Sequence, residues 1–256
     1  MLLRRLMAQI EDQNWFAVVL DFVIVVVGVL LAFQISTWSE EAEERRMGED
    51  YAERLLEDLR VEQIGGRDMV EYLTVVEQHA HQAVELYHAP AGEADVEFVT
   101  AAYNATQAFG TLQSRSTYDE LISTGQLRLL PSRDLAAVAN GQYLIDYRWN
   151  LFEFLTTSGY RDRVRRLLPV SLQQAVNGQC GDILDETGVV DGLAVDCVPD
   201  IPGDQASAAA ADLRDDPEFL PDLRSLISGL SYRLADMRNR QQVLESNLEF
   251  LAEHAE

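Results

Sequence analysis

One apolar run near the start of the chain limits what the rest can do. Residues 16–37 read FAVVLDFVIVVVGVLLAFQIST, rich in Val, Ile and Leu and uncharged apart from Asp21. About 20 such residues cross the ~30 Å hydrocarbon core as a helix, which satisfies its own backbone hydrogen bonds. Trp15 and Trp38 bracket the run 23 positions apart, roughly 35 Å along a helix, as interfacial anchors do. The run is too long for a cleavable signal peptide, and no A-x-A site follows it. The expectation is an uncleaved membrane anchor.

Orientation is not decided by charge. Arg4 and Arg5 precede the span while Arg45 and Arg46 follow it, so the positive-inside count is a tie. Three softer features favour a cytoplasmic N-terminus: a leading tail of 1–15, an acidic flank of Glu40, Glu41, Glu43 and Glu44, and two cysteines beyond the span. Leu3, Leu6 and Ile10 have helical spacing, which suits a short interfacial helix. So short a tail leaves no room for the output domain of a two-component sensor.

Asp21 is the lone acid in the apolar run, and an ionised carboxylate there needs a partner or water. Three readings stay open: reaching out to the headgroups, a helix–helix contact, or a proton relay. Gly28 and Ala32 form a small-xxx-small pair that permits close helix approach. The layout of short tail, single span with an early Asp, and exported domain resembles the accessory subunits of proton-driven motors. The proline that family usually carries before its Asp is absent here.

Composition narrows the chemistry. The 256 residues carry 43 acids against 20 basic residues, all arginine, for a net charge of −23. Such a chain has nothing with which to neutralise a run of phosphates, so nucleic acid is not an expected partner. Without lysine there is no Schiff base and no phosphate-loop lysine. Two cysteines and four histidines are too few for a Cys₄ zinc site. Beyond residue 38 the chain keeps 40 acids and 18 arginines, or −22. Nearly all the charge therefore belongs to the segment 39–256.

That segment reads as helices. Met47, Tyr51, Leu55 and Leu59 recur every four residues, and Met69, Leu73, Val76, Ala80, Ala83 and Tyr87 alternate steps of four and three. This is one stripe on a long amphipathic helix from about 40 to 88, with Gly65 and Gly66 as an expected kink where the phase slips. Further helices are expected over 96–109 with Asp95 as N-cap, from a Thr117/Glu120 capping box to Gly125, from Ser132 towards Gly159 and on to about Leu168, and from Asp216-Pro217 to about Ala252. No convincing period-two strand appears. The expected fold is all-α, a transmembrane helix followed by an antiparallel bundle of long helices.

An acidic insert, 169–215, interrupts the pattern. Cys180 and Cys197 lie within it and are expected to form a disulfide in an oxidising periplasm.

Candidate chemistry is thin. Glu85-x-x-His88 is half of a di-iron bundle motif, but no second copy exists, since Leu251 stands three before His254. His81 and His88 share a face and, with Glu77 and His79 nearby, offer a weak divalent-metal site. The expectation is no metal and no cofactor, with a metal-dependent enzyme using 79–88 as an alternative. No D-x-D-x-D-G loop or G-x-S-x-G is present. The most distinctive soluble stretch is STYDELISTGQLRLL from Ser116. It reads either as a capped helix with Tyr118, Leu121, Ile122, Leu127 and Leu129 in a core, or as a recognition surface of Ser116, Thr117, Asp119 and Glu120.

The anchor LDFVIVVVGVLLAFQISTW, a charged helix and then TYDELISTGQLRLL resemble a family of uncharacterised bacterial single-pass membrane proteins. The resemblance covers the anchor and mid-chain and implies a bacterial inner membrane; it brings no catalytic residues. The resulting expectation is a non-enzymatic protein whose periplasmic bundle binds a partner or ligand or scaffolds an envelope assembly, pairing with itself or another protein. A proton-coupled subunit using Asp21 is the alternative.

Overall fold

A computed structural model of the chain describes residues 15–253, with side chains from Val19 onward. Its elements are α1 (Trp15–Tyr87), α2 (Asp95–Asn104), α3 (Ser116–Thr124), a 3₁₀ turn (Gln126–Leu129), α4 (Arg133–Tyr143), α5 (Tyr147–Thr156), α6 (Gly159–Leu167), α7 (Val170–Cys180), strands β1 (Asp182–Leu184) and β2 (Val190–Leu193), α8 (Gly203–Asp215) and α9 (Phe219–Glu253). The expected interfacial helix over 1–14 lies outside the described residues, as does the side chain of Trp15.

α1 is a single helix of 73 residues, about 110 Å long. Its first part is the one helix among the described residues long and apolar enough to cross a membrane, and no other described residue covers it. The rest is a stave of the bundle. Gly48, Leu55, Leu59, Glu62, Gly66, Met69, Leu73, Val76, Ala80 and Ala83 are all buried. Ala52 fills the one missing position, so the steps alternate four and three without a slip. The helix is unbroken at Gly65 and Gly66, which corrects the expected kink. Those glycines serve close packing instead: a Cβ on Gly65 would stand 2.9 Å from the Arg148 guanidinium, and one on Gly66 would strike the Gln241 amide.

α9 runs antiparallel to α1. Tyr87 stacks on Phe219 at 5.8 Å, Arg238 donates to Thr74 Oγ1 at 2.9 Å, and Arg67 pairs with Glu245 at 3.5 Å. Pro221 does not disturb α9, because it lies in the first turn, where the amide has no intrahelical acceptor. α9 begins at Phe219, after the expected Asp216-Pro217.

Other boundaries differ for local reasons. The single helix expected from Ser132 to Gly159 is two, since Asp146 accepts from Trp149 N at 2.9 Å and starts α5 afresh. Ser158 then caps α6, accepting from Arg161 N at 3.2 Å. Ile145 and Trp149, at and just after the α4–α5 break, are exposed. Ser132 does cap α4, accepting from Leu135 N at 3.2 Å. Asp95 is the first residue of α2 rather than its N-cap, and its carboxylate instead pairs with Arg214 at 2.8 Å. The acidic insert is largely structured, containing α7, an antiparallel hairpin and α8. α8 buries Ala206, Ala209, Ala210 and Leu213, a stripe too small to signal strongly in sequence. Cys180 and Cys197 form the expected disulfide, with Cα atoms 5.5 Å apart.

Candidate functional site

The stripe of α1 carries one charge into the core. Glu62 is fully buried and pairs with Arg148 of α5, which is 3% exposed, at 3.0 Å. The short α4–α5 break swings Tyr147 and Arg148 in together. Tyr147 donates to Glu62 Oε1 at 2.6 Å, Gln142 Nε2 donates to the Tyr147 hydroxyl at 3.0 Å, and Ser114 N donates to Glu62 Oε2 at 3.1 Å. Arg148 Nη2 donates to the Glu62 carbonyl at 2.7 Å and Nη1 to Thr111 Oγ1 at 2.8 Å. On α9, Gln241 reaches the same hydroxyl at 3.4 Å. Burial, then the charge of Glu62 and its hydrogen bond, push the Tyr147 phenol up to about 12, so at neutral pH it is a donor. The node is buried, and its two charges are paired with each other. It joins α1, α4, α5 and α9 through one buried carboxylate and one phenol.

Towards the apolar end of α1, α3 and the 3₁₀ turn lie along it as a strap. The expected Thr117/Glu120 capping box does not form, and α3 starts at Ser116 with no cap from its own chain neighbours. Asp58 of α1 caps it from outside, accepting from Thr117 N at 2.9 Å and Ser114 Oγ at 3.2 Å. Glu120 turns to Arg54 at 2.6 Å and Tyr51 at 2.9 Å. Arg128 reaches Glu44 at 3.1 Å, and the Leu129 carbonyl lies against Gly48 so closely that a Cβ there would clash. Gly125 ends α3 in the left-handed conformation at φ 69°, as only glycine does at low cost. Tyr118 and Leu121 are buried as expected, but Ile122 is exposed. Of the polar residues read as a recognition surface, Ser116 and Asp119 are exposed, Asp119 pairing with Arg115 at 2.9 Å, while Thr117 is buried.

The other predicted residues are scattered. Asp21, Gly28, Ala32 and Trp38 are exposed on the uncovered span, and nothing lies within 4 Å of a Cβ built on Gly28. His79 is buried and its Nε2 donates to the Ala194 carbonyl at 2.7 Å, which ties the hairpin to α1. His81, Glu85 and His88 are exposed, and Glu77 accepts from Ser231 of α9. Among the described residues no three His, Cys, Asp or Glu side chains gather to hold a metal ion. In the hairpin turn Asp185 accepts from Thr187 N and Val189 N at 2.8 and 2.9 Å, an Asx turn that accounts for its carboxylate without a cation. Glu62, Arg148 and Asp58 were missed by the sequence reading. The signal was present: ten positions separate Leu59 from Met69, three plus four plus three, which places Glu62 and Gly66 on the buried stripe.

No family model matches the sequence, and no match is found among curated proteins or solved structures.

Proposed function

We propose that this protein is a single-pass tether of the bacterial inner membrane, with a cytoplasmic N-terminus and a periplasmic helical bundle that holds a partner at a fixed height above the bilayer. One observation carries this reading: the apolar span and the central stave of the bundle are the same unbroken helix. A jointed linker would let the domain swing, whereas a continuous helix strapped at its stem transmits position and torque. The Cys180–Cys197 disulfide supports an oxidising compartment. The uncovered span leaves Gly28 and Ala32 available to a second membrane helix.

The test is purification of the tagged full-length chain from native membranes after crosslinking. A stoichiometric partner is expected, and it should be lost when the helix is broken by Gly-Pro at 42–43 while the bundle stays folded. Retention of the partner by that variant, or lipid or peptidoglycan hydrolysis by the purified protein, would sink the reading. A second reading is favoured by Asp21, a carboxylate exposed on the span: a proton-coupled accessory subunit of a motor-like complex. It fails if Asp21→Asn leaves ion-driven function of the native complex unchanged.

A further inference from the structure

Arg161 and Arg165 stand one turn apart on α6, over the end of α2. Arg161 Nη1 donates to the Thr106 carbonyl. Arg165 donates to Thr106 Oγ1 at 3.0 Å and Gln107 Oε1 at 3.2 Å, with its guanidinium 4.9 Å from the centre of the Tyr103 ring. Both arginines are half-buried, and among the described residues neither has a carboxylate within ion-pair distance. Their neighbours in the fold differ: Arg163 pairs with Asp216 and Asp222, and Arg214 with Asp95. Other arginines also lack an ion pair among the described residues, but Arg161 and Arg165 are adjacent and both half-buried. Burial and the charge of Arg165 hold Arg161 below the ordinary arginine range. The end of α2 offers about half an elementary charge in compensation, against two positive charges. Asp182, which accepts from Tyr72 at 2.6 Å, forms no ion pair with either.

We propose that Arg161 and Arg165 bind a small oxyanion, the phosphate or carboxylate group of a soluble ligand. Two guanidinium forks suit either group; beside them the Gln107 amide is held by Asn177 and the Thr106 hydroxyl by the Tyr103 carbonyl, and both accept from Arg165 and fix its position. A headgroup of the protein's own membrane is out of reach. Tyr72, whose phenol feels both guanidiniums, lies 34 residues beyond Trp38, about 50 Å along α1. The inference stands apart from the tether reading and survives its failure.

The experiment titrates the full-length protein in detergent with inorganic phosphate and, separately, with succinate, against chloride at matched ionic strength. Calorimetry and the melting temperature are read. One oxyanion is expected to bind saturably, one per chain, and to raise the melting temperature. Saturation by phosphate assigns a phosphate ligand, and saturation by succinate a carboxylate. Arg165→Gln is expected to weaken binding about tenfold, the loss of a charge-assisted hydrogen bond, while Arg224→Gln at an exposed site leaves it unchanged. Where Arg165→Gln loses helix content, Arg165→Lys keeps the charge without the fork and is expected to bind measurably more weakly. A response no different from chloride, an adventitious effect of ions only, overturns the proposal. So does binding that is undiminished in a folded Arg165 variant.

Discussion

The bundle has two cores of different kinds, divided by the Glu62 node. Beyond Glu62, away from the apolar span, 32 buried residues form one cluster, against ten in the cluster nearer the span. The distal core is organised by aromatic packing: Phe219 lies 5.8, 5.7 and 5.6 Å from the rings of Tyr87, Phe98 and Tyr160. The proximal core is smaller and leans on polar contacts, with Asp58, Arg54, Tyr51 and Glu44 of α1 each holding the strap. Apolar burial is non-directional and tolerates small shifts, whereas a network of charge-assisted bonds is satisfied in one register only. The distal half thus carries most of the apolar burial, and the polar contacts of the proximal half fix how the bundle sits against the stem of α1.

The sharpest way to break this division is at the divider. Glu62→Leu leaves Arg148 buried without its counter-charge and is expected to cost about 3–5 kcal/mol in denaturant unfolding of the full chain. Glu62→Leu with Arg148→Met is expected to recover most of that loss, since an apolar pair carries no desolvation penalty. The double variant tests what the node is for. Restored stability together with faster hydrogen exchange in α3 means that the node sets register; restored stability with unchanged exchange means that it does not.

Next in size is the covalent closure on the distal side. Replacing both Cys180 and Cys197 with serine is expected to cost about 3 kcal/mol, from a loop of some 17 residues in the unfolded chain. The loss should appear as exchange in β1, β2 and the end of α7, with α3 unaffected. Equal loosening of α3 would show that the two cores unfold as one.

How much of this was legible follows the same division. The span, the disulfide and the distal stripe from Met69 to Ala83 are readable because each rests on a local or periodic signal. The stripe marks Glu62 as buried, but its partners and those of the strap are not readable, because they come from distant parts of the chain: Asp58 caps a helix that begins 58 residues later. Thr117 and Glu120 have capping-box spacing, yet tertiary partners take both groups. The oxyanion site was equally hidden, since nothing in the sequence marks which arginines lack a carboxylate.

The strap gives a smaller effect. Asp58→Ala removes the outside cap of α3 and is expected to cost about 1 kcal/mol. Exchange in α3 should rise while the distal core keeps its protection. A uniform rise in both would mean that the strap is part of the general core.

The smallest effect is set by pH and sits at the hairpin. Burial holds the His79 imidazole below its ordinary value, outweighing the pull of the Ala194 carbonyl and of Asp196. The unfolded chain therefore takes up this proton first as pH falls. The contribution is complete above about pH 6.5 and declines below it by at most about 1.4 kcal/mol per unit, until the folded-state value is reached. Protonation also adds a buried charge where Nε2–H meets a single carbonyl. Between pH 7.5 and 5.5 the hairpin is expected to gain exchange ahead of the rest of the distal core, and His79→Leu to flatten that response. The carboxylates held low by partners act in a different window. Asp95, whose burial is outweighed by Arg214 and Gly92, stabilises above the ordinary carboxylate value and is lost only in stronger acid. A pH slope that persists between 7.5 and 5.5 in the His79→Leu variant would assign it to other groups, leaving the hairpin's attachment to α1 insensitive to mild acid.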